Sequence, residues 1–261
     1  MNEQEQMDFF YEIFDASMPR LGPGDAASTL NALDILLSSR ISQSDGSKSF
    51  AKLRILDLGC GNGAQTIQLA KRAECEILAV DNHQPFLDEL ARRAAAEGVS
   101  GKIKIQRGDM RNLGFDGEVF DVIWAEGCLF IMGFREGLAM CRSMLAPGGS
   151  LAASELSWLR PDPPDECRQF FENVYPAMAG IETNLAAIKD CGYKIQGSFT
   201  LPESAWWEPF YHPLEDRLRP IRKKYAEDPE RNEMVELIQK EIDIYRKYSN
   251  YYGNVFYLMH F

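Results

Sequence analysis

The run Ile55–Gly63 constrains the fold of this chain more than any other segment. An apolar stretch, Ile-Leu-Asp-Leu, passes into Gly-Cys-Gly-Asn-Gly and then into the amphipathic segment Ala64–Arg72. Glycines at such a turn accept positive φ and let the backbone approach a ligand with no Cβ in the way. In open α/β sheets, the bend after a strand at the carboxyl edge is also where ligands bind. A glycine turn alone is equally consistent with a purely structural link between strand and helix.

Short apolar runs alternate with amphipathic segments through the first half of the chain, which is typical of βα units around a mostly parallel sheet. The pattern predicts strands at about 53–57, 76–81, 103–107, 120–125 and 149–155, helices at 64–72, 84–97 and 134–145 between them, and a terminal strand pair at 193–201 and 254–261. The predicted fold is α/β, with an open, mostly parallel seven-stranded sheet and helices on both faces. We expect its last strand to be antiparallel, with a helical insert before it.

The segments outside this alternation predict two helical additions. Helices expected at 8–17 and 26–39 make residues 1–49 an N-terminal helical cap. Residues 50–201 together with 254–261 form the predicted core. Residues 202–253, rich in Trp, Tyr, Arg and Glu, are predicted to be a helical insert or lid over the site.

Acidic residues follow the second and third predicted strands. Asp81 comes about twenty residues after the glycines, where a carboxylate can accept both hydroxyls of a ribose. Gly108-Asp109-Met110 places a second acid beside an apolar side chain that could hold a flat ring. The strand Phe120–Glu126 and the turn Leu145–Gly149 follow in order. These features together indicate a nucleoside site more strongly than the glycine turn does.

On these motifs the chain resembles the class I, Rossmann-like S-adenosylmethionine-dependent methyltransferases, in particular their small-molecule branch, closely over residues 50–155. The resemblance implies S-adenosyl-L-methionine as cofactor and methyl transfer by in-line displacement. The implied cofactor contacts are Gly59, Cys60 and Gly61 to the methionine part, Asp57 to that turn or to the ammonium group, Asp81 to the ribose with Asn82 beside it, Asp109 to the adenine amino group, and Met110 packed on the ring.

Two other functions stay open. A nicotinamide-dependent oxidoreductase would need the spacing G-x-G-x-x-G around a diphosphate, whereas Gly63 comes one position early. A cationic sulfonium also suits the acids Asp57 and Glu126 better than a diphosphate would. The second alternative is a non-catalytic protein that binds S-adenosylmethionine, which would keep the glycine turn and Asp81 but lack an open channel to the methyl group.

The candidate catalytic residues on the acceptor side are Glu126, Glu155 and His212. Glu126 and Glu155 end the fourth and fifth predicted strands, at the edge where the site is expected, and the alternative is that they are solvated or capping acids. A general base is needed only if the acceptor carries a proton at working pH. Trp158, Trp206 and Tyr211 could wall an aromatic or cationic acceptor, or else pack the insert onto the core.

Composition limits the binding partners and the cellular compartment that we expect for this chain. The three histidines are isolated and the six cysteines form no C-x-x-C pair, so no metal site is predicted. A net charge of −11 opposes binding to a phosphate backbone. Without a long apolar run or a signal-like N-terminus, we expect no membrane partner and a cytoplasmic location. The expected partner is a small-molecule acceptor, and the chain is expected to be a monomer or a homodimer.

Overall fold

The computed structural model of the chain describes residues 1–43, 52–115 and 120–261, without the side chains of residues 39–43. Within those ranges the strands are β1 (Leu53–Leu58), β2 (Cys75–Asp81), β3 (Ile103–Arg107), β4 (Phe120–Glu126), β5 (Leu145–Trp158), β6 (Ala179–Gly180), β7 (Lys194–Thr200) and β8 (Tyr252–His260). The α-helices are α1 (Glu3–Ile13), α2 (Ala26–Gln43), α3 (Ala64–Arg72), α4 (Gln84–Ala96), α5 (Phe134–Met144), α6 (Asp165–Val174), α7 (Ile181–Asp190), α8 (Ser204–Trp206), α9 (His212–Lys224) and α10 (Pro229–Tyr248).

The strands form a single sheet in the order β3-β2-β1-β4-β5-β8-β7. Strands β1 to β5 pair in parallel, and β8 lies antiparallel between β5 and β7. The predicted α/β class, the mostly parallel sheet and the antiparallel last strand are confirmed. The sheet has one strand more than the seven predicted, because the two-residue β6, which pairs with Ser157 and Trp158 of β5, is too short to give an alternating pattern.

Helices cover both faces of the sheet, so its central strands are buried on both sides. One face packs on α2, α3 and α4, with Trp124 of β4 and Phe256 of β8 in its core. The other face packs on α5 and α7 through side chains such as Leu151 and Tyr257. This arrangement leaves the carboxyl ends of β1, β2, β4 and β5 together at one edge.

The first helix is displaced from its predicted position. It spans Glu3–Ile13 rather than 8–17, because Asn2 caps it and the side chain of Glu5 bonds back to the Asn2 backbone. Asn and Glu at this spacing are typical of a capping box, but apolar periodicity does not reveal the helix start, because the residues around it are polar. Strand β5 also starts earlier than predicted, at Leu145, because a register shift in β4 lets Leu145 pair with Phe120.

The insert between β7 and β8 consists of α8, one π-helical turn over Trp207–Tyr211, α9 and α10. It packs with α1 and α6 around a third apolar cluster that includes Phe9, Phe171 and Tyr245. The predicted boundary between cap and core, at residues 49 and 50, lies outside the described residues. Among the described helices none has both the length and the hydropathy needed to cross a membrane.

Candidate cofactor and acceptor site

The glycine turn at the end of β1 has the geometry that only glycine tolerates. Gly59, Gly61 and Gly63 have φ of +61°, +53° and +82°. A Cβ on Gly59 would lie 2.7 Å from the Cβ of Cys128, and one on Gly63 would lie 2.2 Å from Leu90 Cδ1. Any side chain there would collide with the neighbouring elements. The glycines therefore let the turn pack closely against α4 and against the loop after β4.

Asp57 supports this turn from beneath. Its carboxylate is fully buried and accepts hydrogen bonds from Thr66 Oγ1 at 2.6 Å and from Gln65 Nε2 at 3.3 Å. Burial raises the pKa of Asp57 to about 7, and the two hydrogen bonds act in the opposite direction. Asp57 thus bonds to the first turn of α3, directly after the glycine turn, and its contact to that turn or to the ammonium group stays a prediction.

Asp81 lies directly beside the glycine turn, at the end of β2. Its Oδ2 accepts the backbone N–H of Gly61 at 2.9 Å, and its Oδ1 accepts that of His83 at 2.9 Å. Each carboxylate oxygen can accept more than one hydrogen bond, so both keep capacity for a further donor. Burial raises the pKa of Asp81. The neighbouring Asn82 is tied to β3 through its carbonyl, which accepts Arg107 Nε at 3.0 Å.

Met110 and Asp109 follow β3 on the same edge. Met110 is half-buried, and its Cε lies 3.3 Å from the place that a Cβ on Gly59 would occupy. Asp109 is half-buried and paired with Arg111, whose hydrogen bonds lower the pKa of Asp109 to about 2. An adenine amino group at Asp109 would therefore share the carboxylate with Arg111. A glycine-rich turn, a carboxylate and an apolar side chain at this edge fit the parts of S-adenosylmethionine.

A segment of the N-terminal cap lies across this turn, which the sequence pattern did not predict. Asn62 Nδ2 donates to the carbonyls of Ala16 and Met18 at 3.1 and 2.7 Å, and Arg93 Nη2 also donates to Met18 at 2.7 Å. Closer to Asp81, the ring of Tyr11 stacks on His83 with centroids 3.5 Å apart. His83 thus lies under Tyr11, two residues after Asp81.

Glu126 is held entirely by the protein. Its Oε1 accepts Arg20 Nη1 at 2.9 Å, and its Oε2 accepts Trp124 Nε1 at 2.9 Å and Thr29 Oγ1 at 3.2 Å. The side chains of Arg20 and Glu126 are 9% and 5% exposed. The geometry therefore corrects the expectation of an acceptor-facing base at Glu126: with its lone pairs engaged in a buried ion pair, this side chain anchors the cap to the end of β4.

Glu155 lies on the opposite face of the sheet and has a different environment. It is 3% exposed, its Oε1 accepts the hydroxyl of Tyr175, and its Oε2 has no hydrogen-bond partner among the described residues. Burial raises the pKa of Glu155 to about 7. Tyr175 follows α6 and was not predicted, because only the folded loop brings it to β5.

The aromatic and histidine candidates lie in three different environments. Trp206 and Tyr211 are buried inside the insert, where Trp206 stacks on Tyr245 at 4.2 Å and the Tyr211 hydroxyl donates to Glu241 at 3.0 Å. The structure therefore corrects their expected place in an acceptor pocket, since both pack the insert onto the core. His212 is exposed at the start of α9. Trp158, in contrast, is half-buried and lines a cavity of about 670 Å³.

The chain matches known methyltransferases in sequence and in fold. A family model described as a methyltransferase domain matches residues 55–149, from the glycine turn to the start of β5. The sterol 24-C-methyltransferase of Neurospora crassa is 28% identical over 177 residues, which cover 64% of this chain and 46% of that protein. The chain thus spans about half the length of the curated relatives it matches.

Among solved structures, a SAM-dependent methyltransferase from Geobacter sulfurreducens in complex with S-adenosyl-L-homocysteine matches with a TM-score of 0.76 and 20% identity, covering 96% of both chains. One from Thiobacillus denitrificans with the same ligand has a TM-score of 0.73 and 21% identity, covering 99% of both chains. These likenesses show the fold. The domain match covers the glycine turn and the ends of β2 and β4, and it bears out the predicted resemblance: residues 55–149 match a methyltransferase domain, and the fold is that of S-adenosylmethionine-dependent methyltransferases.

Proposed function

We propose that this chain transfers the methyl group of S-adenosylmethionine to a small-molecule acceptor. The observation that carries the proposal is the Asp81 carboxylate, held against the glycine turn by the N–H of Gly61 at 2.9 Å. In this proposal Asp81 and Asn82 receive the ribose, and Gly59, Cys60 and Gly61 line the methionine part. Met110 packs on the adenine ring, and Asp109 accepts its amino group while still paired with Arg111.

The cofactor supplies a methyl group already bonded to a sulfonium leaving group. The protein has to bind, align and shield the reactants, and orientation of this kind can account for about 7 to 11 kcal/mol of a barrier. Residues 1–49 and 202–253 act as the lid in this proposal. The ion pair between Arg20 and Glu126 fixes the cap over the site, and the third apolar cluster joins α1 to the insert. A closed lid excludes water from the transfer.

The acceptor is proposed to be apolar. The match to a protein named sterol 24-C-methyltransferase supports a small apolar acceptor over a nucleic acid, as does the net charge of −11. We propose a cytoplasmic location, which the six free cysteine thiols support because such thiols are kept reduced there. Whether the chain is a monomer or a homodimer stays a prediction.

The test is transfer itself. The purified chain is incubated with S-adenosylmethionine and a panel of hydroxyl, amine and sterol acceptors, and release of S-adenosylhomocysteine is measured. We expect release that depends on one class of acceptor. Saturable binding of S-adenosylmethionine without release for any acceptor would favour the non-catalytic alternative. Binding of NAD in place of S-adenosylmethionine would favour the oxidoreductase.

A further inference from the structure

The cavity beside Trp158 lies where β5, α6 and α7 meet. Apolar side chains dominate its wall, among them Trp158, Phe171, Tyr175 and Ile181. Its charged members are two arginines, Arg160 and Arg168, and two glutamates, Glu172 and Glu182. Because these charges balance, the cavity favours neither an anion nor a cation. A neutral, flat apolar molecule fits this lining best.

The rim of the cavity adds exposed apolar surface. Phe130 and Ile131, in the loop after β4, are 50% and 53% exposed. The Phe130 ring contacts that of Tyr175 edge-on, with centroids 6.0 Å apart, and Val174 next to it is also exposed. Exposed apolar side chains that adjoin a cavity are typical of a ligand entrance.

Tyr175 connects this cavity to the buried carboxyl of Glu155. The Tyr175 ring lines the cavity, while its hydroxyl donates to Glu155 Oε1. Glu155 Oε2 is buried and has no partner among the described residues. A buried carboxyl with a vacant oxygen is costly unless it serves a ligand or a proton. Tyr175 therefore connects the cavity to Glu155, a buried carboxyl group that can accept a proton.

The loop after β4 joins this pair to the glycine turn. Cys128 touches the turn, since its Cβ is 2.7 Å from the place that a Cβ on Gly59 would occupy, and its Sγ donates to the carbonyl of Leu58 at 3.1 Å. Two residues further along the same loop, the Phe130 ring contacts that of Tyr175, which bonds to Glu155. The loop therefore connects the turn, where the cofactor is proposed to bind, to Tyr175 at the cavity.

We propose that the cavity receives a neutral, flat apolar acceptor bearing a hydroxyl or an amine, and that Tyr175 and Glu155 take up the proton that this group loses on methylation. The proposal rests on the proposed function. The acceptor heteroatom forms its bond to the methyl carbon while the carbon–sulfur bond breaks and its electron pair returns to sulfur. The heteroatom proton passes to the Tyr175 oxygen as the Tyr175 proton passes to Glu155. The positive charge of the sulfonium and the negative charge of the carboxylate are both neutralised.

The groups around Glu155 suit this role. Tyr175 from the loop after α6, Cys128 from the loop after β4 and Tyr257 from β8 are the titratable side chains that interact with it. Burial raises the pKa of each of these three above its ordinary value, whereas the pKa of Glu155 is raised to about 7. Glu155 is thus the member that changes its protonation near neutral pH, where a general base is most effective.

Two probes test the cavity directly: 4-nitroaniline for the amine, and 4-nitrophenol for the hydroxyl at a pH below its own pKa, where it is neutral. Binding is followed by quenching of tryptophan fluorescence in the full chain saturated with S-adenosylhomocysteine. We expect saturable binding of at least one probe, and a Kd about 5- to 10-fold higher in Tyr175→Phe, which loses one hydrogen bond. Glu155→Gln keeps the shape of the side chain but cannot take the proton. We expect it to bind the probe nearly as wild type does, to lower kcat about 10²- to 10⁴-fold, and to lose the rise of kcat with pH around 7 when the acceptor is 4-nitroaniline, which stays neutral in this range.

Tyr193→Phe is the matched control, because this buried tyrosine donates to the carbonyl of Leu138 at the opposite end of the sheet. It should leave probe binding and kcat unchanged. The proposal is overturned if the wild type binds S-adenosylhomocysteine but neither probe, or if Tyr175→Phe behaves as Tyr193→Phe does. It is also overturned if Glu155→Gln keeps the wild-type pH profile. A wild type that fails to bind S-adenosylhomocysteine overturns the proposed function itself, and this outcome is read separately from probe binding.

Discussion

The ion pair between Arg20 and Glu126 joins the N-terminal cap to the end of β4, at 2.9 Å and almost out of solvent. Removing one partner leaves the other charge buried and unpaired. We therefore expect Arg20→Met to lower the free energy of unfolding by about 3 to 5 kcal/mol. Urea unfolding measures this directly. Arg135→Met, which breaks the exposed pair with Asp190, is the control and should have no measurable effect. Equal effects of the two substitutions would show that the buried pair does not anchor the cap.

Asp57 gives the stability of the protein a defined pH dependence. Burial raises its folded-state pKa from 3.8 to about 7, so the folded chain holds the proton more tightly than the unfolded chain. The resulting stabilisation is fully present below about pH 4 and is lost as the pH rises to about 7. Glu155 acts in the same direction.

We therefore expect the free energy of unfolding to fall less steeply with rising pH in Asp57→Asn than in wild type. The two slopes should differ by up to about 1.4 kcal/mol per pH unit. Urea unfolding at pH values of about 5, 6 and 7 gives the two slopes. Because slopes are compared, a uniform loss of stability in the variant does not affect the test. Identical slopes would mean that the Asp57 pKa is not raised in the folded protein.

Single residues were predictable where their role is local to one turn. That Asp81 lies beside the glycines followed from their spacing, because the ends of neighbouring parallel strands meet at one edge of the sheet in this fold. Glu126 and Glu155 ended neighbouring strands and looked equivalent in sequence. Their environments differ because they face opposite sides of the sheet, where α2 supplies Thr29 and the loop after α6 supplies Tyr175.

At the scale of elements, the insert helices and the end of β5 use their aromatic residues differently. Tyr211 is completely buried among Trp206, Phe210 and Tyr245, so Tyr211→Ala should leave a large cavity and lower the free energy of unfolding by about 3 to 5 kcal/mol. Trp158 is half-buried and lines the cavity that we propose for the acceptor. Trp158→Ala should cost less stability but weaken binding of the nitrophenol and nitroaniline probes.

Thermal unfolding and the fluorescence titration, applied to both variants, separate these effects; Trp207→Ala serves as the fluorescence control. If Tyr211→Ala keeps the wild-type melting temperature and instead abolishes probe binding, Tyr211 lines the pocket after all. The same result for both variants would remove the distinction drawn between the insert and the cavity.

The core elements followed from sequence because βα alternation is a local pattern, and β1, α3 and β3 begin and end within a residue or two of their predicted bounds. Where the pattern is absent, prediction failed. Strand β6 has two residues and forms only because the loop after α6 returns to β5. The start of α1 depends on a capping box that apolar periodicity does not reveal.

For the whole molecule, only one part of the cavity was predictable, because three separate elements close it. Trp158 was a candidate from its place after the fifth strand, whereas Glu182 lines the cavity from a distant helix with no neighbour in sequence that marks a site. The contact between the N-terminal segment and the glycine turn was also not predictable. Asn62 and Arg93 donate hydrogen bonds to the backbone carbonyl of Met18, more than forty residues earlier in the chain, and a backbone carbonyl gives no signal in the sequence.

The central claim is that the edge formed by the glycine turn and Asp81 binds the cofactor of a methyltransferase. Isothermal titration of S-adenosylhomocysteine into wild type, Asp81→Ala and the exposed control Asp190→Ala tests it most directly, with folding verified by circular dichroism. We expect wild type and Asp190→Ala to bind equally. Asp81→Ala should bind about 5- to 150-fold more weakly, because the ribose hydroxyls lose a buried acceptor worth about 1 to 3 kcal/mol. Unchanged affinity in a folded Asp81→Ala protein would contradict the account.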